Sequence, residues 1–123
     1  MINFWSYIQE YKKYSSNFNF FFNQTLKNGK IFFGPNLSKF EYNFVKKYNS
    51  KYGVAVGSGT DALLISLMAL KIKKGDEVIT ASNTAIPTIS AIVNSGAKPI
   101  LVDINEDYLI DTTKIEKKNH KKN

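Results

Sequence analysis

The residues best suited to chemistry in this chain are Gly57-Ser58-Gly59-Thr60-Asp61-Ala62. They follow a short apolar run, Val54-Ala55-Val56, and lead into Asp61 to Leu70, which is apolar almost all round. That pattern predicts a strand turning into a helix. At such a junction the first N–H groups of the helix lack intrahelical acceptors and the helix dipole is positive. With the hydroxyls of Ser58 and Thr60 added, the turn is suited to a phosphate, and glycine lets a ligand approach the backbone closely.

Which phosphate is a matter of spacing. A P-loop needs a Lys directly after its second glycine, and none follows here. Gly57 to Ala62 formally fits the dinucleotide pattern G-x-G-x-x-A, which also wants an acid at the far end of the next strand. Glu77 has the right separation but opens that strand, whose far end carries Ser82-Asn83. That makes the dinucleotide reading weak; the junction supports a phosphate on some other cofactor or substrate, and a plain Gly/Ser turn capped by Ser58 or Thr60 stays open beside it.

Other chemistries are excluded by composition. The chain has no Cys and a single His, His120, in a polar tail, so thiolate and multi-His metal sites, Cys nucleophiles and His-based triads are ruled out. Asp103 ends an apolar run and could face a site or cap a loop. Lys71, Lys73 and Lys74 flank a turn, Lys98 precedes a strand and Lys114 to Lys122 lie in the tail, which favours solvated surface roles for all of them.

The elements that must position these residues follow from periodicity. The 123 residues carry a net charge of +7, unevenly spread. Residues 1–53 hold eight Lys and two Glu, residues 54–111 four Lys and seven acids, and residues 112–123 five Lys and one Glu. The middle segment is therefore acidic. With no Arg available for bidentate contacts, nucleic acid is not an expected partner. No apolar run approaches the length of a membrane span, and no signal peptide is evident, so a cytoplasmic protein is expected.

Residues 1–53 read as an N-terminal helical segment. One or two helices are expected from residue 3 to about 28, ending at Asn28-Gly29, with Phe18, Phe21, Phe22 and Leu26 on one face meeting a core or a partner surface. After Gly34-Pro35 a further helix is expected over about 36–49, with capping-box spacing at Ser38 and Glu41. Residues 54–111 read as a strand at 54–56, a buried helix at 61–70, a strand at 77–81, a helix at 84–95 and a strand at 99–104. This β-α-β-α-β order, with continuous apolar strands, implies an α/β fold with a parallel sheet covered on both faces. Residues 112–123 read as a basic, disordered tail.

Several of these segments, in this order and at this spacing, match one family. They are Gly34-Pro35 with Phe40-Glu41, Ser58-Gly59-Thr60-Asp61-Ala62-Leu63, Gly75-Asp76-Glu77-Val78-Ile79, Gly96-Ala97-Lys98-Pro99, Val102-Asp103 and Ile110-Asp111. Over about residues 5–116 the chain resembles the N-terminal part of the DegT/DnrJ/EryC1/StrS sugar aminotransferases.

The resemblance implies the β-α-β-α-β portion of the large domain of a fold-type-I transferase that depends on pyridoxal 5'-phosphate (PLP). It implies transfer of an amino group, from glutamate, to a nucleotide-linked keto-deoxysugar through pyridoxamine phosphate, in a homodimer serving polysaccharide biosynthesis. On it, Gly59 and Thr60 match residues that hold the PLP phosphate, with Ser58 and Asp61 in the same motif. Asn83, Thr84 and Ala85 match the loop beside the cofactor ring. The family often has an aromatic residue where this chain has Ala85, which shifts ring contact toward Asn83. The run Asn83-Thr84-Ala85-Ile86-Pro87-Thr88 is similar to members making 3-amino-3,6-dideoxyhexoses.

The Schiff-base lysine and the acid for the pyridine nitrogen come from later segments of the family's fold, and the chain has neither in context. Residues 1–123 are therefore expected to be inactive alone. The alternatives are a non-catalytic binding or interaction remnant of such an enzyme, and a nucleotide-binding Rossmann module.

Overall fold

A computed structural model describes residues 6–115. The chain divides into two compact units, Met1–Ala55 and Val56–Asn123.

The first unit is helical. Helix α1 spans Tyr7–Lys27 and ends where the Asn28 N–H reaches back to Gln24 O at 3.1 Å. Helix α2 spans Pro35–Lys47 and starts on proline, whose missing N–H costs nothing in a first turn. The expected capping box does not form. The α2 N-cap is Gly34, so Ser38 and Glu41 lie inside the helix, and Glu41 Oε1 accepts from the Ala55 N–H at 2.8 Å instead. The face expected to meet a core does not meet one among the described residues. Phe18, Phe21, Phe22 and Leu26 are each half exposed or more, and neither helix holds a buried residue. Aromatic rings on α2 pack along the helix itself, Phe44 on Tyr48 with centroids 4.5 Å apart.

The second unit is α/β. Helix α3 spans Gly59–Ala69, strand β1 Glu77–Ala81, helix α4 Ile86–Asn94 and strand β2 Lys98–Val102. β1 and β2 pair in parallel from Glu77↔Lys98 to Ala81↔Val102, with α4 as the crossover. Pro87 sits in the first turn of α4, and the helix stops at Ser95-Gly96. Gly96 has φ +88, and a Cβ there would lie 3.1 Å from the Lys74 N, so only glycine fits without displacing a neighbour. α4 packs on β2 and on α3. The core is small: Ala91 and Ile92 of α4, Ala97, and Val102 of β2.

Two expectations for this unit are corrected. Val54-Ala55-Val56 forms no strand among the described residues. Helix α3, apolar nearly all round, has no buried residue: it packs on α4, while Met68 is 61% and Leu70 72% exposed. Apolar periodicity reports what a helix could bury; burial also needs an opposing surface.

In the tail, Thr112–Lys114 form one turn of 3-10 helix capped by Asp111, so disorder does not begin at residue 112. The rest of the expected basic tail, residues 116–123 with His120, lies outside the described residues. None of the described helices is long and apolar enough to cross a membrane.

Candidate functional site

Helix α3 begins one residue after Ser58, whose backbone is extended (φ −158, ψ 166), the usual geometry of an N-cap. Ser58 Oγ accepts from the Asp61 N–H at 3.1 Å and donates to Asp61 Oδ2 at 2.8 Å. The Ser58 carbonyl accepts from the Ala62 N–H at 3.0 Å. Ser58 and Asp61 therefore satisfy one another, and the acid adds favourable charge to the first turn.

Gly57 makes room for this pair. A Cβ on Gly57 would stand 3.1 Å from Asp61 Oδ2, tighter than ordinary packing. At Gly59, by contrast, a Cβ would meet nothing within 4 Å. The face of Gly59 is open, and as the first two helical residues Gly59 and Thr60 present N–H groups with no intrahelical acceptor. Thr60 is half buried and carries a hydroxyl beside them.

The second segment, Ser82 to Ala85, leaves the carboxyl end of β1. The Ser82 N–H is held by Val102 O at 2.8 Å, which extends the ladder one step past the strand. Thr84 Oγ1 donates to Thr88 Oγ1 at 2.9 Å, and Ala85 is the α4 N-cap with no side chain able to cap. Asn83 and Ala85 are exposed. No hydrogen bond joins Ser58–Asp61 to Asn83–Ala85 among the described residues. The carboxyl end of a parallel strand is where α/β sheets place ligands.

Glu77 opens β1 and pairs with Lys98 at 3.9 Å across the strand register. It stands at the amino end of the strand, which removes it as the ribose acid of a dinucleotide site.

One charged cluster went unread in the sequence. Lys114 Nζ lies 3.1 Å from Asp103 Oδ2 and 3.2 Å from Asp111 Oδ2. Its hydrogen bond to Asp103 is the main cause of a raised Lys114 pKa, and the same bond holds the Asp103 carboxyl below its usual 3.8. The Asp111 carboxyl is also held below 3.8, chiefly by the Thr113 hydroxyl. The three-residue spacing from Asp111 to Lys114 was the available signal. Asp103 thus has a cation partner as well as its own Ile104 N–H at 2.9 Å.

A groove of about 620 Å³ in the first unit, lined by Phe21, Phe22, Phe40 and Lys39 among others, contains none of the candidate residues.

This arrangement, a capped helix start with open glycine beside a parallel β-α-β unit, has the fold of part of a known α/β enzyme class. DesV of S. venezuelae matches with a TM-score of 0.90 and 32% identity over 94% of this chain and 32% of its own. NtdA of Bacillus subtilis, solved with the cofactor PMP, matches with a TM-score of 0.75 and 42% identity over 77% of this chain and 22% of its own. The chain belongs to the DegT/DnrJ/EryC1/StrS aminotransferase family, whose model matches residues 13–122. Among curated relatives, dTDP-3-amino-3,4,6-trideoxy-alpha-D-glucose transaminase of Micromonospora megalomicea subsp. nigra is 34% identical over 91% of this chain. The chain spans 30% of that relative's length.

Proposed function

We propose that this chain supplies the phosphate-binding part of a PLP-dependent sugar aminotransferase, one that moves an amino group from glutamate to a nucleotide-linked 3-keto-deoxysugar. The observation that carries the reading is the family match over residues 13–122. The amino group at C3 is suggested by the name of the Micromonospora relative and by the run Asn83 to Thr88.

The residues fit the phosphate of such a cofactor. The N–H groups of Gly59 and Thr60 and the Thr60 hydroxyl would hold it at the positive end of α3, where the face of Gly59 is open. Ser58 and Asp61, already bonded to each other, shape the turn rather than contact the ligand. The segment Asn83–Ala85 would face the cofactor ring, and with Ala85 where the family often has an aromatic residue, ring stacking would be lost or would fall to Asn83. When bound, PLP serves as the electron sink that lets a proton leave the carbon bearing the amino group.

In the second unit the described lysines do not stand in the family's Schiff-base context. Lys71, Lys73 and Lys74 border a turn, Lys98 opens β2, and Lys114 is held by Asp103 and Asp111. Residues 1–123 by themselves are therefore inactive, and the active protein is a homodimer that includes the later segments of the family's fold.

The test is a chimera in which this chain's matching residues replace those of the Micromonospora transaminase. Amination of a dTDP-3-keto-sugar by glutamate, lost or cut at least tenfold in affinity for PMP by Thr60→Val, supports the reading. A folded chimera that binds PMP yet never turns over supports a non-catalytic remnant, a second reading favoured by the uncovered apolar faces of α1 and α3.

A further inference from the structure

The residues after β2 fold back on themselves. Asp103 O accepts from the Asp111 N–H at 2.9 Å, Ile104 and Ile110 form an antiparallel bridge, and the Asn105 N–H reaches Leu109 O at 2.8 Å. The tip is tied by Asn105 Oδ1, which accepts from the Asp107 and Leu109 N–H groups at 3.1 and 3.0 Å. Tyr108 takes φ +62, an uncommon conformation for a residue with a side chain. Past the bridge, Asp111 Oδ1 accepts from the Thr113 N–H at 3.0 Å and from its hydroxyl at 2.6 Å. That turn carries Lys114 back to the beginning of the segment, where its ammonium meets carboxylates from both ends.

We propose that Lys114 is the clasp of a strap. By bridging Asp103, the first residue past β2, and Asp111, eight residues on, it closes the segment 103–115 at the carboxyl end of the sheet. Removing the ammonium, neutralising Asp103 or screening the charges opens the strap while β1, α4 and β2 stay folded. The charged groups meeting in the cluster are Asp103, Asp111 and Lys114. A lone exposed ion pair contributes little, but one cation shared by two carboxylates, one of them well covered, restrains both ends at once. Ligands of parallel α/β sheets enter at the carboxyl ends of strands, so the strap borders that edge. The significance of that edge rests on the proposed function; the clasp itself does not.

Amide hydrogen exchange of the 123-residue chain, read by NMR, tests the strap without any cofactor. Lys114→Gln and Asp103→Asn are expected to speed exchange at Asn105 and Asp111 by roughly three- to tenfold, with the amides of β1 unchanged. Lys114→Arg is expected to keep the original rates, and about 0.5 M NaCl to move the unmodified chain toward Lys114→Gln. Unchanged strap amides in Lys114→Gln overturn the proposal. Should that variant unfold β1 as well, the salt titration of the unmodified chain decides. Strap amides that loosen ahead of β1 support the clasp, and amides that loosen together or not at all sink it.

Discussion

Ser58 Oγ serves two partners at once, taking the Asp61 N–H and giving its own hydrogen to the Asp61 carboxylate. Ser58→Ala removes both, and the loss of an N-cap of this kind costs about 1 kcal/mol. A thermal melt of the chain should show a midpoint some 4–8 °C lower; an unchanged midpoint would mean that α3 does not depend on its cap. Gly57→Ala should also destabilise, because its Cβ crowds Asp61 Oδ2, whereas Gly59→Ala meets nothing and should leave the melt within about 0.5 kcal/mol of the original. If Gly59 instead matters through the ligand, that same variant should weaken PMP binding. The two measurements separate a folding role from a binding role.

The cluster of Asp103, Asp111 and Lys114 adds a pH dependence. Both carboxyls are held below the usual 3.8, so their contribution to the folded strap is complete above that value and fades as the pH falls through it. Lys114 is raised above 10.5, so its contribution is complete below that value and fades only as the pH climbs past it. The strap should therefore exchange most slowly, relative to β1, between about pH 5 and 10. Strap protection that instead vanished near neutral pH would show that other groups hold it.

At the scale of elements, the helix boundaries were legible where local chemistry decides them. Asn28-Gly29 ended α1 and Ser58 capped α3, because capping and backbone geometry act within a few residues. The parallel β-α-β unit was legible for a similar reason: two continuous apolar runs flank a helical one. What failed needed a neighbour. Val54-Ala55-Val56 has strand composition but forms no strand among the described residues, and Ser38 to Glu41 has capping-box spacing inside a helix that proline had already started.

Burial within the elements gives a sharper expectation. Ile92 is 3% exposed and Met68 61%, though both stand on apolar helices. Ile92→Ala should cost about 2–5 kcal/mol in denaturant unfolding. Met68→Ala should cost less than about 0.5 kcal/mol. Equal costs would mean that α3 is covered in solution.

For the whole molecule, the chain accounts for 32% of the DesV structure it matches, and among the described residues its core is Ala91, Ile92, Ala97 and Val102. So small a core explains why apolar residues of α3 stay exposed, since a helix face is buried only by another element. Such surface should bind a hydrophobic dye strongly under native conditions. Weak dye binding by the folded 123-residue chain would point to self-association that covers these faces, which sedimentation would reveal.

The sequence by itself determined the end of α1, the cap at Ser58, the parallel β-α-β unit and the family. Each of these depends on backbone geometry and on spacing between nearby residues, or on ordered motifs that spacing alone preserves. Only the tertiary structure decided that Ser58 and Asp61 spend their polar groups on each other, leaving the face of Gly59 open. It also decided that Lys114 returns to Asp103, and that an apolar helix has little to cover it. Those outcomes depend on which groups meet through space, and residue type and periodicity state only what a group is able to do when it meets another.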